Sequence, residues 1–141
     1  TVGLYNKGFK TYDGVQITLE TGDKDYIIQG LDGGIFYDDN FEKCLMKKKD
    51  MVKDITLMLD KNISSNENVI NHPADKSGDS KIYTYEFYLN NSTSGNYSDS
   101  ILVYCTNWSI QLEKKYNWTD NLRVSLSTRE FNYWYNNQAY K

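Results

Sequence analysis

His72 is the only histidine in the chain, and it limits which nucleophilic chemistry is open to it. A Ser-His-Asp or Cys-His site needs an imidazole held rigidly against its nucleophile. His72 stands beside Pro73 in the polar stretch 61–80, so the expectation is a surface-loop histidine without a catalytic part. The run Asp75-Lys76-Ser77-Gly78-Asp79 begins like a calcium loop but lacks the closing Glu that such a loop needs. Asp38 and Asp39 are consecutive, and consecutive strand residues face opposite ways, so they do not form an acid/base pair. Gly30, Gly33 and Gly34 miss the dinucleotide spacing, and no HExxH helix, phosphate loop or nucleophile elbow is present. These readings predict a protein that is not an enzyme and needs no metal or cofactor.

Two further cysteine-based chemistries depend on spacing. Cys44 and Cys105 lie 61 residues apart, and neither belongs to a CxxC or Cys/His metal pattern. The pair makes either one disulfide or two buried thiols, and an oxidising compartment selects the disulfide.

Six Asn-x-Ser/Thr sequons point to such a compartment. They start at Asn62, Asn90, Asn91, Asn96, Asn107 and Asn117. With 15 Asn and 21 Ser or Thr in 141 residues, chance supplies about two. A sequon matters only in a glycosylating secretory pathway, where it marks surface. The expectation is a secreted, extracellular glycoprotein. The chain opens at Thr1 with no signal peptide, which fits a processed mature protein.

The length of 141 residues suits one domain, 1–141, with its own hydrophobic core. The net charge of −3 argues against a nucleic-acid partner, which needs a strongly basic face. Lys47-Lys48-Lys49 reads as a solvated edge. No apolar run approaches the roughly 18–20 residues of a membrane span.

The elements that must carry these residues read mostly as strands. The 13 Tyr, 5 Phe and 3 Trp favour extended structure. Val15, Ile17 and Leu19 alternate with polar neighbours, and Thr21–Lys24 supplies a turn before Asp25–Ile28. Gly30–Gly34 reads as a second turn. Tyr83, Tyr85, Phe87 and Leu89 share one face of a run, Ile101, Val103 and Cys105 that of the next, Trp108, Ile110 and Leu112 another, and Leu122, Val124 and Leu126 the last. With strands over Phe41–Met46 and Ile55–Leu59, joined by a Lys-rich turn, about eight strands result. They predict an all-β, antiparallel barrel or sandwich.

One stretch has two solutions. Phe41, Leu45, Val52, Ile55 and Leu59 also form a helical stripe, with Asp39 or Asn40 as N-cap. Lys48 interrupts that stripe, and Lys43–Lys47, Lys49–Lys53 and Asp50–Asp54 would be like-charged pairs at i,i+4. Two strands are therefore expected, with an α+β fold carrying a helix near 41–59 as the alternative. Residues 61–80 read as a long exposed connection.

Aromatic residues are the natural ligand contacts, because Tyr and Trp combine apolar area with a polar tip. The candidates are Tyr83, Tyr85, Phe87, Trp108 and Trp134. The stripe at 83–87 serves equally as a core face or, in a closed barrel, as a cavity wall.

Asp25-Tyr26-Ile27-Ile28, then Phe41-Glu42-Lys43-Cys44-Leu45, then Ile55-Thr56-Leu57-Met58-Leu59 resembles the front half of the salivary lipocalins of blood-feeding arthropods. The segment Asn96–Tyr104 is similar to a later strand of that family. The likeness covers about half the chain. It departs from the family in lacking a Gly-x-Trp near the first strand, since the Trp residues fall at 108, 118 and 134. The resemblance implies an eight-stranded barrel with a central pocket for a small apolar or amine ligand. The other reading is a pathogen or viral immune-evasion sandwich that binds a host extracellular protein on its outer face. Both are non-enzymatic binding proteins that sequester or block a target.

Overall fold

The structure, a computed structural model, describes residues 2–5, 8–38, 40–89 and 97–139. It is mostly β. Seven antiparallel strands form one sheet: β1 (Val2–Tyr5), β2 (Gly14–Leu19), β3 (Ile28–Phe36), β4 (Ser64–Asn71), β5 (Lys81–Tyr88), β6 (Ser100–Asn107) and β7 (Asn121–Ser127). Three helices accompany them: α1 (Phe41–Met58), α2 (Ile110–Tyr116) and α3 (Arg129–Asn137). The strand order is β1-β2-β3-β7-β6-β5-β4. β1 and β4 are free edges, so the sheet does not close into a barrel.

That order explains α1. From β4 the chain meanders back through β5 and β6 to β7, which pairs antiparallel with β3. β3 and β4 therefore run in the same direction, four strand spacings apart, and only a crossover can join them. Four spacings are about 19 Å, and the 18-residue helix is about 27 Å long.

The expected strands at 41–46 and 55–59 are thus one helix, the alternative set out above. Asn40 Oδ1 accepts the Lys43 N–H at 3.1 Å as N-cap, and Glu42 lies in the first turn. The face of Phe41, Cys44, Leu45, Lys48, Val52 and Ile55 lies on the sheet. Lys48 belongs to that face because its Nζ is 2.8 Å from Glu67 Oε1 on β4. Lys43, Lys49, Asp50, Lys53 and Asp54 are exposed, and water screens their like-charge repulsion.

Cys44 of α1 and Cys105 of β6 form a disulfide with a Cα–Cα distance of 6.1 Å. It staples the helix to the middle of the sheet. Cys44, Val103, Cys105 and Leu122 are fully buried, and Val124, Ile35, Tyr83 and Phe41 pack around them. Phe87 is buried too, and Tyr83 packs on Phe41 with ring centroids 5.1 Å apart. The alternation in β5, β6 and β7 thus assigns its apolar sides to the helix-covered face.

Other segments differ from expectation for identifiable reasons. Gly30–Gly34 is no turn but the middle of β3. A Cβ on Gly33 would lie 2.8 Å from the Tyr12 ring, so glycine is needed for close approach rather than for bending. The polar stretch 61–80 contains β4, every residue of which is exposed. An edge strand with so little to bury has no apolar period to read, and its register comes from β5. Trp108–Leu112 is a corner leading into α2, not a strand. α2 ends at Asn117, whose φ of 55° is the left-handed cap conformation. The aromatic cluster after residue 130 lies on α3, where Thr128 Oγ1 accepts the Phe131 N–H at 3.2 Å. Among the described residues no helix is long and apolar enough to cross a membrane.

Candidate binding groove

The face of the sheet opposite α1 carries polar side chains. Register places Gly14 beside Gly34, Gln16 beside Asp32, Asp32 beside Ser125, and Tyr104 beside Arg123. Arg123 Nη1 donates to Gln16 Oε1 at 3.2 Å, and Ser125 Oγ donates to Asp32 Oδ1. Burial pushes the Tyr104 phenol above its ordinary value; Asp32 adds to that shift, whereas the Arg123 guanidinium opposes it. Among the described residues the side-chain ion pairs are Lys48–Glu67 and Arg129–Glu130, and a side-chain bond from Arg123 goes to the neutral amide of Gln16.

Gly14 and Gly34 floor a small hollow of about 20 Å³ next to Arg123. A Cβ on Gly34 would meet only Leu122 O, at 4.0 Å. Nothing inside the protein requires glycine there. The missing side chain leaves the floor open.

Beyond the hollow the surface widens into a shallower, open groove of about 760 Å³ that shares Phe36, Asn121 and Arg123 with it. Asp13, Asp38 and Phe36 form one side; Trp108, Trp118 and Thr119 form the other, with Asn117 at the rim. The two sides are chain exits tied together by Asp120. Its carbonyl accepts the Tyr37 N–H at 2.8 Å, and its Oδ1 accepts the Trp108 N–H at 2.8 Å. Asp13 is held by its own bonds: its N–H donates to Gly34 O at 2.9 Å, and Oδ2 accepts the Phe36 N–H at 2.8 Å. Burial, with the Asp13 charge adding to it, raises the Tyr37 phenol above its usual value.

The Trp side is a run of rings in contact, stacked at Tyr116–Trp118 and tilted at the other two pairs. Tyr116 lies 4.8 Å from Trp118, Trp118 4.4 Å from Trp108, and Trp108 4.1 Å from His72. Lys115 Nζ caps the outer end, 4.9 Å from the Tyr116 centroid. Phe36 differs from these rings. It is 47 % exposed and makes no ring contact among the described residues, so its face is open to the groove.

His72 is not the free loop histidine expected. Its ring packs on Trp108, and its Nδ1 accepts the Ala74 N–H at 3.1 Å. Burial lowers its pKa, with Asp75 pulling the other way. The loop after it is built on Asp75. Oδ2 accepts the Ser80 hydroxyl at 2.5 Å, and Oδ1 accepts the Ser77 hydroxyl at 2.7 Å. These bonds, those from Ser80 first, hold the Asp75 carboxyl far below the usual carboxylate range. Ser80 Oγ in turn accepts the Ser109 N–H at 2.9 Å, anchoring the start of α2.

The groove gathers one of the five aromatic residues singled out from sequence, Trp108. Tyr83, Tyr85 and Phe87 lie on the helix-covered face, where Tyr85 and Phe87 are 5.0 Å apart. Trp134 is on α3, packed on Phe131 at 5.8 Å. Phe36, Trp118, Arg123, Asp13 and Asp38 were missed because they come from distant segments. Of the sequons, Asn62 is exposed in the turn before β4, Asn107 is half-buried at the end of β6, and Asn117 is exposed at the groove rim. Asn90, Asn91 and Asn96 lie outside the described residues. Among the described residues no cluster of three or more His, Cys, Asp or Glu could hold a metal ion.

No protein-family model matches the chain, and no curated protein or solved structure matches it either.

Proposed function

We propose that the protein is a secreted, non-enzymatic binding protein whose ligand lies in the groove between Phe36 and Trp118. One observation carries this reading: the pinned groove of about 760 Å³ sets an exposed aromatic ring beside carboxylates, amides and a guanidinium. Concave sites with a few convergent polar groups are where ligands bind. Because β1 and β4 are unpaired edges, the sheet has no barrel lumen of the kind the salivary-lipocalin likeness implies, and the outer groove is the ligand site proposed in its place. His72, spent on Trp108 and the Ala74 N–H, is a poor general base. The disulfide suits an oxidising compartment. Glycosylation fits Asn62, which is exposed; a glycan on Asn117 would fill the groove rim, so that position is proposed to stay unmodified.

Blockade of a host protein is the second reading. It is favoured by Val2, Leu4, Leu31 and Leu126, which share the sheet face of α1 and are 36–55 % exposed.

Native mass spectrometry of the protein from its natural fluid, followed by titration of Trp fluorescence with what is retained, tests the groove reading. Saturation near one equivalent, weakened by Phe36→Ala, is expected. Turnover of many equivalents of any substrate overturns it.

A further inference from the structure

We infer that the groove takes a neutral polyhydroxylated ligand, a saccharide, an inference that rests on the groove being the binding site. The lining selects by exclusion. The groove is lined by both signs, Asp13 and Asp38 against Arg123, so a ligand of one sign alone always leaves a like charge facing it. An apolar ligand would have to desolvate all three charges in a site that remains open to water. A sugar hydroxyl both donates and accepts. It pairs equally with acceptor-only carboxylates, the donor-only guanidinium and the dual-purpose amides of Asn117 and Asn121.

Two features outside the charge pattern agree. The C–H faces of a sugar ring need a flat apolar surface, and Phe36, without a ring partner, offers one at the junction of hollow and groove. The floor at Gly34 is clear of side chains although a Cβ would fit. Glycine weakens a strand interior, and no packing contact explains its presence. A ring or hydroxymethyl group resting on the β2–β3 backbone would.

The test uses the intact, disulfide-bonded protein. An array of neutral glycans identifies binders, which are then titrated with backbone and indole NMR shifts as the readout. Glycine betaine, choline and citrate serve as zwitterionic, cationic and anionic probes. The expected result is saturable binding of a neutral glycan, with shifts at Phe36, Trp118, Asn121 and Arg123. Phe36→Ala weakens it about tenfold, the upper range for a lost ring contact. Gly34→Ala also weakens it while leaving the thermal midpoint unchanged or higher, which a purely structural glycine would not do. Absence of any glycan binding, or saturation of the groove by a charged probe alone, overturns the saccharide inference and leaves the groove reading standing. Glycan binding with shifts outside the groove, indifferent to both substitutions, overturns the groove reading itself.

Discussion

Lys48 Nζ, on the sheet-facing side of α1, lies 2.8 Å from Glu67 Oε1 on the edge strand β4. The lysine side chain is 8 % exposed and the glutamate 64 %. The pair is asymmetric, and so are the expected effects of breaking it. Glu67→Ala strands a buried ammonium and should cost about 1–2 kcal/mol, because a hydrogen bond to a charged group is lost while the partner's exposure limits the loss. Lys48→Met leaves only a solvated carboxylate and fills the same space, so its cost should be near zero. Urea denaturation of the two variants measures both. Equal losses would show that the contact is not what holds Lys48 in place.

The disulfide should be the largest single contribution to stability. Closing a loop of 61 residues is worth about 4 kcal/mol in the chain-entropy model, within an observed range of about 2–5 for small domains. Cys105→Ala paired with Cys44→Ala should lower the urea midpoint accordingly. Peptide mapping without reductant should recover Cys44 and Cys105 cross-linked.

Gly33 and Tyr12 should be coupled. A Cβ at Gly33 would come within 2.8 Å of the Tyr12 ring, so Gly33→Ala should cost about 1–3 kcal/mol by overpacking. Combining it with Tyr12→Leu should recover part of that cost, and a double-mutant cycle isolates the term. Strict additivity would show that the ring moves aside freely.

His72 should make stability depend on pH. Its pKa is lowered in the folded protein, first by burial. The unfolded chain therefore binds the proton more readily, and stability rises with pH across the interval between the two values. The His72 contribution is complete above about pH 6.5, the ordinary imidazole value, and is lost as pH falls from there through the lowered folded value. Thermal midpoints at pH 7.5 and 5.0 should differ more for the natural protein than for His72→Phe, which keeps a ring against Trp108. An equal shift in both would assign the pH effect to other groups.

The period of two in Tyr83-Tyr85-Phe87, Ile101-Val103-Cys105 and Leu122-Val124-Leu126 was legible because these residues share the helix-covered face, where Phe87, Val103, Cys105 and Leu122 are buried. The turn at Thr21–Lys24 was legible because its residues carry the conformation locally, Gly22 with φ of 85°. The Cys44–Cys105 pairing needed only an even count and a compartment. α1 was harder to read. Its stripe is interrupted by Lys48, whose partner lies 19 residues away on another element. β4 was invisible because all its residues are exposed and its register is set by β5.

The amino-acid sequence by itself determined the apolar alternation of β5, β6 and β7, narrowed Cys44 and Cys105 to one cross-link or two thiols, and showed that no familiar catalytic motif stands in the chain. These depend on local spacing, residue type and count. The tertiary structure alone decided that residues 41–58 are helix, that β4 extends the sheet, and that the sheet stays open. It also decided that Asp13, Phe36, Trp118 and Arg123 meet. The physical reason is shared by all four. Each follows from contacts between segments far apart in the chain, whose loop-closure entropy is repaid only when the whole sheet assembles, so no local window carries the signal.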